Sequence, residues 1–187
     1  MSNSQNQFKK HMAKKNYKAL LNTITTLIFD IDGVLTDSSL LVQTNGDLLR
    51  KMHTRDGYAL RAAVEAGLNI FIISGGKNEG VRQRLKGLGI KEVILGAHDK
   101  VQHFNRLLDT YDLDPNQVLY MGDDLPDFPV MKLVGLPCCP QDAAPEIKAI
   151  SDYISHVNGG CGAVRDVIEQ VMKVKGLWMS DFDAQND

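Results

Sequence analysis

Apolar residues fall in short blocks along the chain, and two kinds of spacing alternate from block to block. Continuous runs at Thr26-Leu27-Ile28-Phe29, Asn69-Ile70-Phe71-Ile72-Ile73, Glu92-Val93-Ile94-Leu95 and Val118-Leu119-Tyr120-Met121 read as strands buried on both faces. Between them, apolar residues recur at helical intervals: Leu60, Ala63 and Val64, then Val81, Leu85 and Leu88, then Val101, Phe104, Leu107 and Leu108. Gly67 is placed to stop the first helix, and Asp114-Pro115 turns the chain after a helix from about Asp99 to Tyr111. A helix from near Leu125 to Gly135, shorter strands around Leu136 and Tyr153, and a last helix from about Gly162 to Val174 complete the series. Strands that alternate with helices in this way predict an α/β fold with a parallel, doubly wound sheet.

One segment breaks the alternation. Between Ser38 and Met52, two short apolar runs flank Thr44-Asn45-Gly46-Asp47, and Asn-Gly accepts positive φ at both positions of a tight turn. This predicts a β-hairpin inserted after the first strand, over about 38–52. Residues 1–22 are polar and basic, with Lys9, Lys10, Lys14, Lys15 and Lys18 and little periodicity, and read as a flexible or loosely docked lead-in, with a nucleic-acid arm as the alternative. The expected organisation is one domain over 23–175 and a C-terminal tail over 176–187 that carries Trp178 and Phe182.

Composition narrows the function classes. With 187 residues, 43% of them hydrophobic, the chain has apolar material for a single core, and a formal net charge of -2 gives no basic excess for nucleic acid. No apolar run approaches the roughly 20 residues that span a bilayer. The three cysteines, Cys138, Cys139 and Cys161, form neither a disulfide framework nor a zinc pattern, and no secretory signal opens the sequence. A cytoplasmic protein without membrane or nucleic-acid partners is expected.

Candidate chemistry gathers where the predicted strands end. Ligands of doubly wound sheets bind beyond the carboxyl ends of the strands. Asp30 and Asp32 end the first strand, Ser74 the second, Lys100 follows the third, and Asp123 and Asp124 end the fourth. Alternation along a strand points Asp30 and Asp32 to one side, where two like charges require a cation or a shared proton; a solvated turn is the other reading. Ser74 and the small Gly75 and Gly76 suit an anion, though Ser-Gly-Gly also serves as an ordinary turn. Lys100, near a helix start, sits where the macrodipole disfavours a cation, so a phosphate clamp explains it better than helix stability; a surface lysine is the common alternative. Asp124 fits an N-cap, which leaves Asp123 to join Asp30 on a hard cation of the Mg²⁺ type.

A phosphate ligand gives each residue a role. Asp30 attacks a Mg²⁺-bound phosphoryl group as nucleophile, with metal and lysine offsetting the charge repulsion. Asp32 contacts the substrate's leaving alcohol, protonates it, and then activates the water that hydrolyses the acyl phosphate.

Asp30-Ile31-Asp32-Gly33-Val34-Leu35-Thr36-Asp37, Ser74, Lys100 and Gly122-Asp123-Asp124-Leu125-Pro126-Asp127 resemble, in order and spacing, the four motifs of the haloacid dehalogenase-like phosphatases. The hairpin, Thr54-Arg55-Asp56-Gly57-Tyr58 and Gly159-Gly160-Cys161-Gly162-Ala163-Val164-Arg165-Asp166 are similar to the capless branch typified by 3-deoxy-D-manno-octulosonate 8-phosphate phosphatase. The resemblance, from about Leu27 to Val174, implies a Rossmann-like domain without a cap and a Mg²⁺-dependent homotetramer whose hairpins form a central barrel. It implies metal ligation by Asp30, Asp123 and the backbone carbonyl of Asp32. It also implies substrate contacts at His53, Thr54, Arg55, Asp56, Gly57, Arg61, Gly76, Arg84 and Lys100, although Arg61 and Arg84 serve equally as solvated helix residues.

The implied substrate is a 2-keto-3-deoxy sugar acid phosphate of eight carbons, used in a lipopolysaccharide precursor, with a nine-carbon acid phosphate as the alternative. Gly76, where an arginine or a glutamate is usual, His53 and Cys161 depart from the branch pattern and bear on which sugar is taken. Two other classes are a non-catalytic oligomerisation scaffold and a receiver-like switch; the second lacks a partner aspartate two residues after the phosphorylated one.

Overall fold

Thr26–Phe29 forms β1, with all four residues buried, and a six-stranded sheet is assembled on both sides of it. The computed structural model describes residues 17–179. The other strands of this sheet are Asn69–Ser74 (β4), Glu92–Leu95 (β5), Val118–Met121 (β6), Leu136–Cys139 (β7) and Tyr153–Ile154 (β8). Their spatial order is β5-β4-β1-β6-β7-β8, and every pairing is parallel. The chain moves outward from β1 through β4 to β5, then returns to β1's other edge at β6. The order therefore reverses beside β1, and polar groups that follow β1 and β6 become neighbours there.

Period-two alternation explains the two layers of helices. Leu27, Phe29, Ile70, Ile72, Leu119 and Met121 face one core, while Ile28, Phe71, Ile73, Val118 and Tyr120 face the other. The first is covered by Tyr17–Leu21 (α1), Thr54–Glu65 (α2), Glu79–Lys86 (α3) and Ala163–Val174 (α7). The second is covered by Lys100–Tyr111 (α4), Phe128–Met131 (α5) and Pro145–Ile150 (α6).

Three local expectations change. Residues 17–21, expected in a loose lead-in, form α1, which buries Leu21 and stacks Tyr17 on Tyr153 with ring centroids 5.0 Å apart. Residues 1–16 and 180–187, with the rest of that segment and Phe182, lie outside the described residues. The helix expected from Leu125 is split into a 3₁₀ turn at Leu125–Asp127 and the single turn α5, because Pro126 and Pro129 each lack an N–H. The hairpin is Leu41–Val42 (β2) against Leu48–Leu49 (β3), and its turn has positive φ at Gly46 (+89°) but not at Asn45. Gly46 N–H donates to Gln43 O and Gln43 N–H to Asp47 O, which makes a three-residue turn with the glycine as its left-handed member.

The loop after β1 is clamped from outside by Gly159-Gly160. Gly160 N–H donates to Val34 O, and a Cβ on Gly159 would lie 1.9 Å from Gly33 O. Gly159→Ala is accordingly expected to cost about 1–3 kcal/mol, since backbone on both sides resists the shift. Thermal unfolding checks this: a loss of several degrees is expected, and an unchanged midpoint contradicts the clamp.

Candidate active site

β1 stops at Phe29, where the chain enters a tight loop instead of continuing as strand. Val34, Leu35 and Thr36 all donate backbone N–H groups to Ile31 O, and Gly33 takes φ +84°. Asp30 and Asp32 thus reach a common cavity through a turn, not through strand alternation. Gly33 is needed twice, for its positive φ and because a Cβ there would meet Asp123 Oδ2 at 1.9 Å.

Register brings the next members in. Phe29 pairs with Met121, and Asp30 N–H donates to Met121 O, so the loop after β6 lies beside Asp30. Phe29 also pairs with Ile72 on the other side, which leaves Ser74 at the same rim. Ser74 is buried, and its Oγ accepts the Gly76 N–H at 3.3 Å. α4 starts with Asp99 as N-cap, accepting from Gln102 N–H, and aims Lys100 inward. The cavity of about 450 Å³ is lined by Asp30, Asp32, Ser74, Gly75, Gly76, Lys100, Asp123 and Asp127, with Ser38, His98 and Asp124 at its edge.

Lys100 is the hub. Its Nζ donates to Asp30 Oδ2 at 2.8 Å and to Asp127 Oδ1 at 2.6 Å, with the side chain only 5% exposed. Two of its three ammonium donors are thereby engaged. Asp127 also accepts from Tyr120 Oη at 2.7 Å and from Asp123 N–H at 3.2 Å. Asp32 is paired elsewhere: Arg50 Nε donates to its Oδ1 at 2.7 Å and Nη2 to its Oδ2 at 2.8 Å.

Charge balance dictates what else the cavity takes. Asp30, Asp32, Asp123 and Asp127 meet Lys100 and Arg50, so carboxylates outnumber cations here. Burial, then the Asp127 charge, push the Asp30 carboxyl up against the lowering pull of Lys100. Burial and then Asp127 and Asp30 likewise push Asp123 up to about 7. Burial presses Lys100 downward, but Asp30 and Asp127 outweigh it and raise its ammonium above the ordinary range. Ligand oxygens of Asp30, Asp123 and Asp127 all lie within 4.8 Å of one another, and an all-oxygen set suits a hard divalent cation.

The structure therefore gathers Asp30, Asp32, Ser74, Gly76, Lys100 and Asp123 at one cavity. Asp124 caps the turn as expected, accepting from Leu125 N–H. His53, Thr54, Arg55, Asp56, Gly57, Arg61 and Arg84 do not line it. They sit at or near α2: His53 is its N-cap, Asp56 is buried and accepts from Arg165 N–H, and Arg84 Nη2 lies against Gly57. Arg61 pairs on the surface with Glu65 at 2.8 Å, the solvated reading. Asp127 and Arg50 were missed. The signal for Asp127 was in its motif, four residues past Asp123; Arg50 had none, since it arrives only when the hairpin folds back.

A parallel sheet with an acidic end to its central strand, a buried lysine at the start of a flanking helix, and more carboxylates across the switch point defines a cation-assisted phosphoryl-transfer enzyme. Residues 91–168 match the family model of the haloacid dehalogenase-like hydrolases. The 3-deoxy-D-manno-octulosonate 8-phosphate phosphatase of Salmonella typhi is 39% identical over 82% of this chain and 81% of its own length. The crystal structure of the phosphatase of that name from Yersinia pestis superposes with TM-score 0.85 and 33% identity, over 87% of this chain and 88% of that one. A third, from Moraxella catarrhalis in complex with magnesium, phosphate and the octulosonate, gives TM-score 0.82 and 30% identity over 88% and 93%. The chain belongs to the haloacid dehalogenase-like hydrolases, in the branch of the 3-deoxy-D-manno-octulosonate 8-phosphate phosphatases.

Asp30 and Asp123 hold protons more tightly in the folded chain than the ordinary carboxylate value of 3.8 allows. The folded state therefore binds more protons than the unfolded one up to about pH 7, and stability falls as pH rises through that interval. Cation-free protein is expected to lose melting temperature from about pH 4 to 7, less so in Asp123→Asn, with divalent cation reversing the loss most at the alkaline end. A midpoint that climbs steadily over that range contradicts these shifts.

Proposed function

We propose that this chain is a Mg²⁺-dependent phosphatase that converts 3-deoxy-D-manno-octulosonate 8-phosphate to the free sugar acid and phosphate. The observation that carries the reading is Lys100, buried between Asp30 and Asp127 in the cavity that Asp123 also enters. The likeness to phosphatases of that name supports the substrate.

In this reading the remaining Lys100 donor, the Ser74 hydroxyl and the backbone N–H groups of Gly75 and Gly76 hold the phosphate. Asp30 attacks phosphorus, its other oxygen fixed by Ile31 N–H at 2.7 Å, and becomes an aspartyl-phosphate as the P–O bond to the sugar breaks. Asp32 gives its proton to the departing alcohol, then takes one from the water that cleaves the acyl phosphate. Asp30, Asp123 and the Asp32 carbonyl would hold Mg²⁺, with Asp127, already accepting from Lys100, Tyr120 and Asp123, setting their positions. When bound, the ion offsets the charge that phosphate brings to an acidic site.

Asp30→Asn is expected to abolish phosphate release by at least about a thousandfold with the fold retained, and chelation to stop the wild-type reaction reversibly. The check is a phosphate-release assay over eight- and nine-carbon keto-acid phosphates with circular dichroism of the variant. Near-normal turnover in Asp30→Asn, or full activity in excess chelator, overturns the mechanism.

A homotetramer in the cytoplasm completes the proposal. Leu41 and Val42 are 65% and 69% exposed on a two-stranded sheet that is marginal by itself, and Cys138, Cys139 and Cys161 are all free thiols. Among the described residues no helix is long and apolar enough to cross a membrane. Leu41→Arg combined with Val42→Arg is expected to give a smaller species by light scattering, whereas an unchanged mass argues against assembly through the hairpin.

A further inference from the structure

The hairpin meets the catalytic cavity at Arg50, which pairs with the cavity-lining Asp32. Arg50, just after β3, lays its guanidinium across Gly76 and onto Asp32, and is itself only 5% exposed along its side chain. A Cβ on Gly76 would lie 2.8 Å from Arg50 Nη2 and 3.1 Å from Asp32 Oδ2, so the guanidinium occupies the space that any side chain at position 76 would need. The hairpin backbone is tied at the same point, with Leu48 O accepting from both Arg50 Nη1 and Asn78 Nδ2 at 3.0 Å. Lys51 adds an ion pair to Asp37 at 3.2 Å.

This arrangement conflicts with chemistry at Asp32. Both of its oxygens accept from Arg50, so a leaving oxygen competes with the guanidinium for the carboxyl group. A planar, two-pronged cation leaves one carboxylate most readily for another. The substrate class proposed above carries such a group, and the inference rests on that reading.

We propose that Arg50, given room by Gly76, is a specificity-determining residue that exchanges Asp32 for the carboxylate of an acidic sugar phosphate. Binding of an acidic substrate then frees Asp32 to face the leaving oxygen, while a neutral sugar phosphate offers the guanidinium nothing in return. Gly76 and Arg50 act as one element, because a side chain at 76 displaces the guanidinium without removing its charge.

The test compares kcat/KM for 3-deoxy-D-manno-octulosonate 8-phosphate with that for mannose 6-phosphate, a neutral sugar carrying the same phosphate. Arg50→Ala is expected to lower the acid-to-neutral ratio at least about tenfold, chiefly through KM for the acid, as loss of one charge-assisted contact does. Arg50→Lys keeps the charge and retains more of the preference. Gly76→Leu, which keeps the arginine but displaces its guanidinium, lowers the ratio like Arg50→Ala, and serves if that variant folds poorly. A wild-type preference that survives in both Arg50→Ala and Gly76→Leu overturns the role of Arg50 alone. A wild-type enzyme with no preference for the acid overturns the substrate class and the exchange with it.

Discussion

A lysine ammonium held out of water between two carboxylates is the constraint on which the site depends. Lys100, Asp30 and Asp127 follow β5, β1 and β6 respectively, and the buried ammonium offsets two carboxylates that otherwise repel each other. Such a triad adds little net stability, because desolvation cancels most of the attraction. Its worth lies in geometry: the ammonium fixes one Asp30 oxygen, and Asp127 fixes the loop that carries Asp123 through the Asp123 N–H. Tyr120, buried on the opposite core face, contributes its hydroxyl to Asp127 and so joins the site to the packing beneath it.

The sheet order makes this convergence possible. Because the chain returns to β1 at β6, the loops after two adjacent parallel strands open side by side, and Asp30 and Met121, remote in sequence, become hydrogen-bonded neighbours. Glycines then set the spacing. Gly33 leaves the volume that Asp123 fills, and Gly159 lets the 159–160 segment rest on the loop that carries Asp32. The hairpin adds a second layer of control, since it presents an apolar outer surface and, through Arg50, an inward cation on Asp32.

Much of this was legible beforehand. Continuous apolar runs gave β1, β4, β5 and β6, helical spacing gave α2, α3 and α4, and the rule that ligands sit beyond strand ends gathered Asp30, Asp32, Ser74, Lys100 and Asp123 correctly at one cavity. The route was partly wrong. Asp30 and Asp32 share the cavity because a tight turn comes after Phe29, not because a strand alternates, and Asn45 does not take the positive φ its pairing with Gly46 suggested. The segment from His53 to Gly57 with Arg61 and Arg84 does not reach the cavity; it packs against α7 or faces solvent.

What the sequence determined by itself was local: which residues pair with backbone, which face a core, and which polar residues fall at the ends of buried strands. These properties arise from periodicity and turn chemistry over a few neighbouring positions. Only the tertiary structure decided that Asp127 shares the lysine with Asp30, and that Arg50 rather than solvent is the partner of Asp32. Those choices depend on how far apart two loops lie once the sheet has closed and the hairpin has folded back, a distance that no stretch of neighbouring residues encodes.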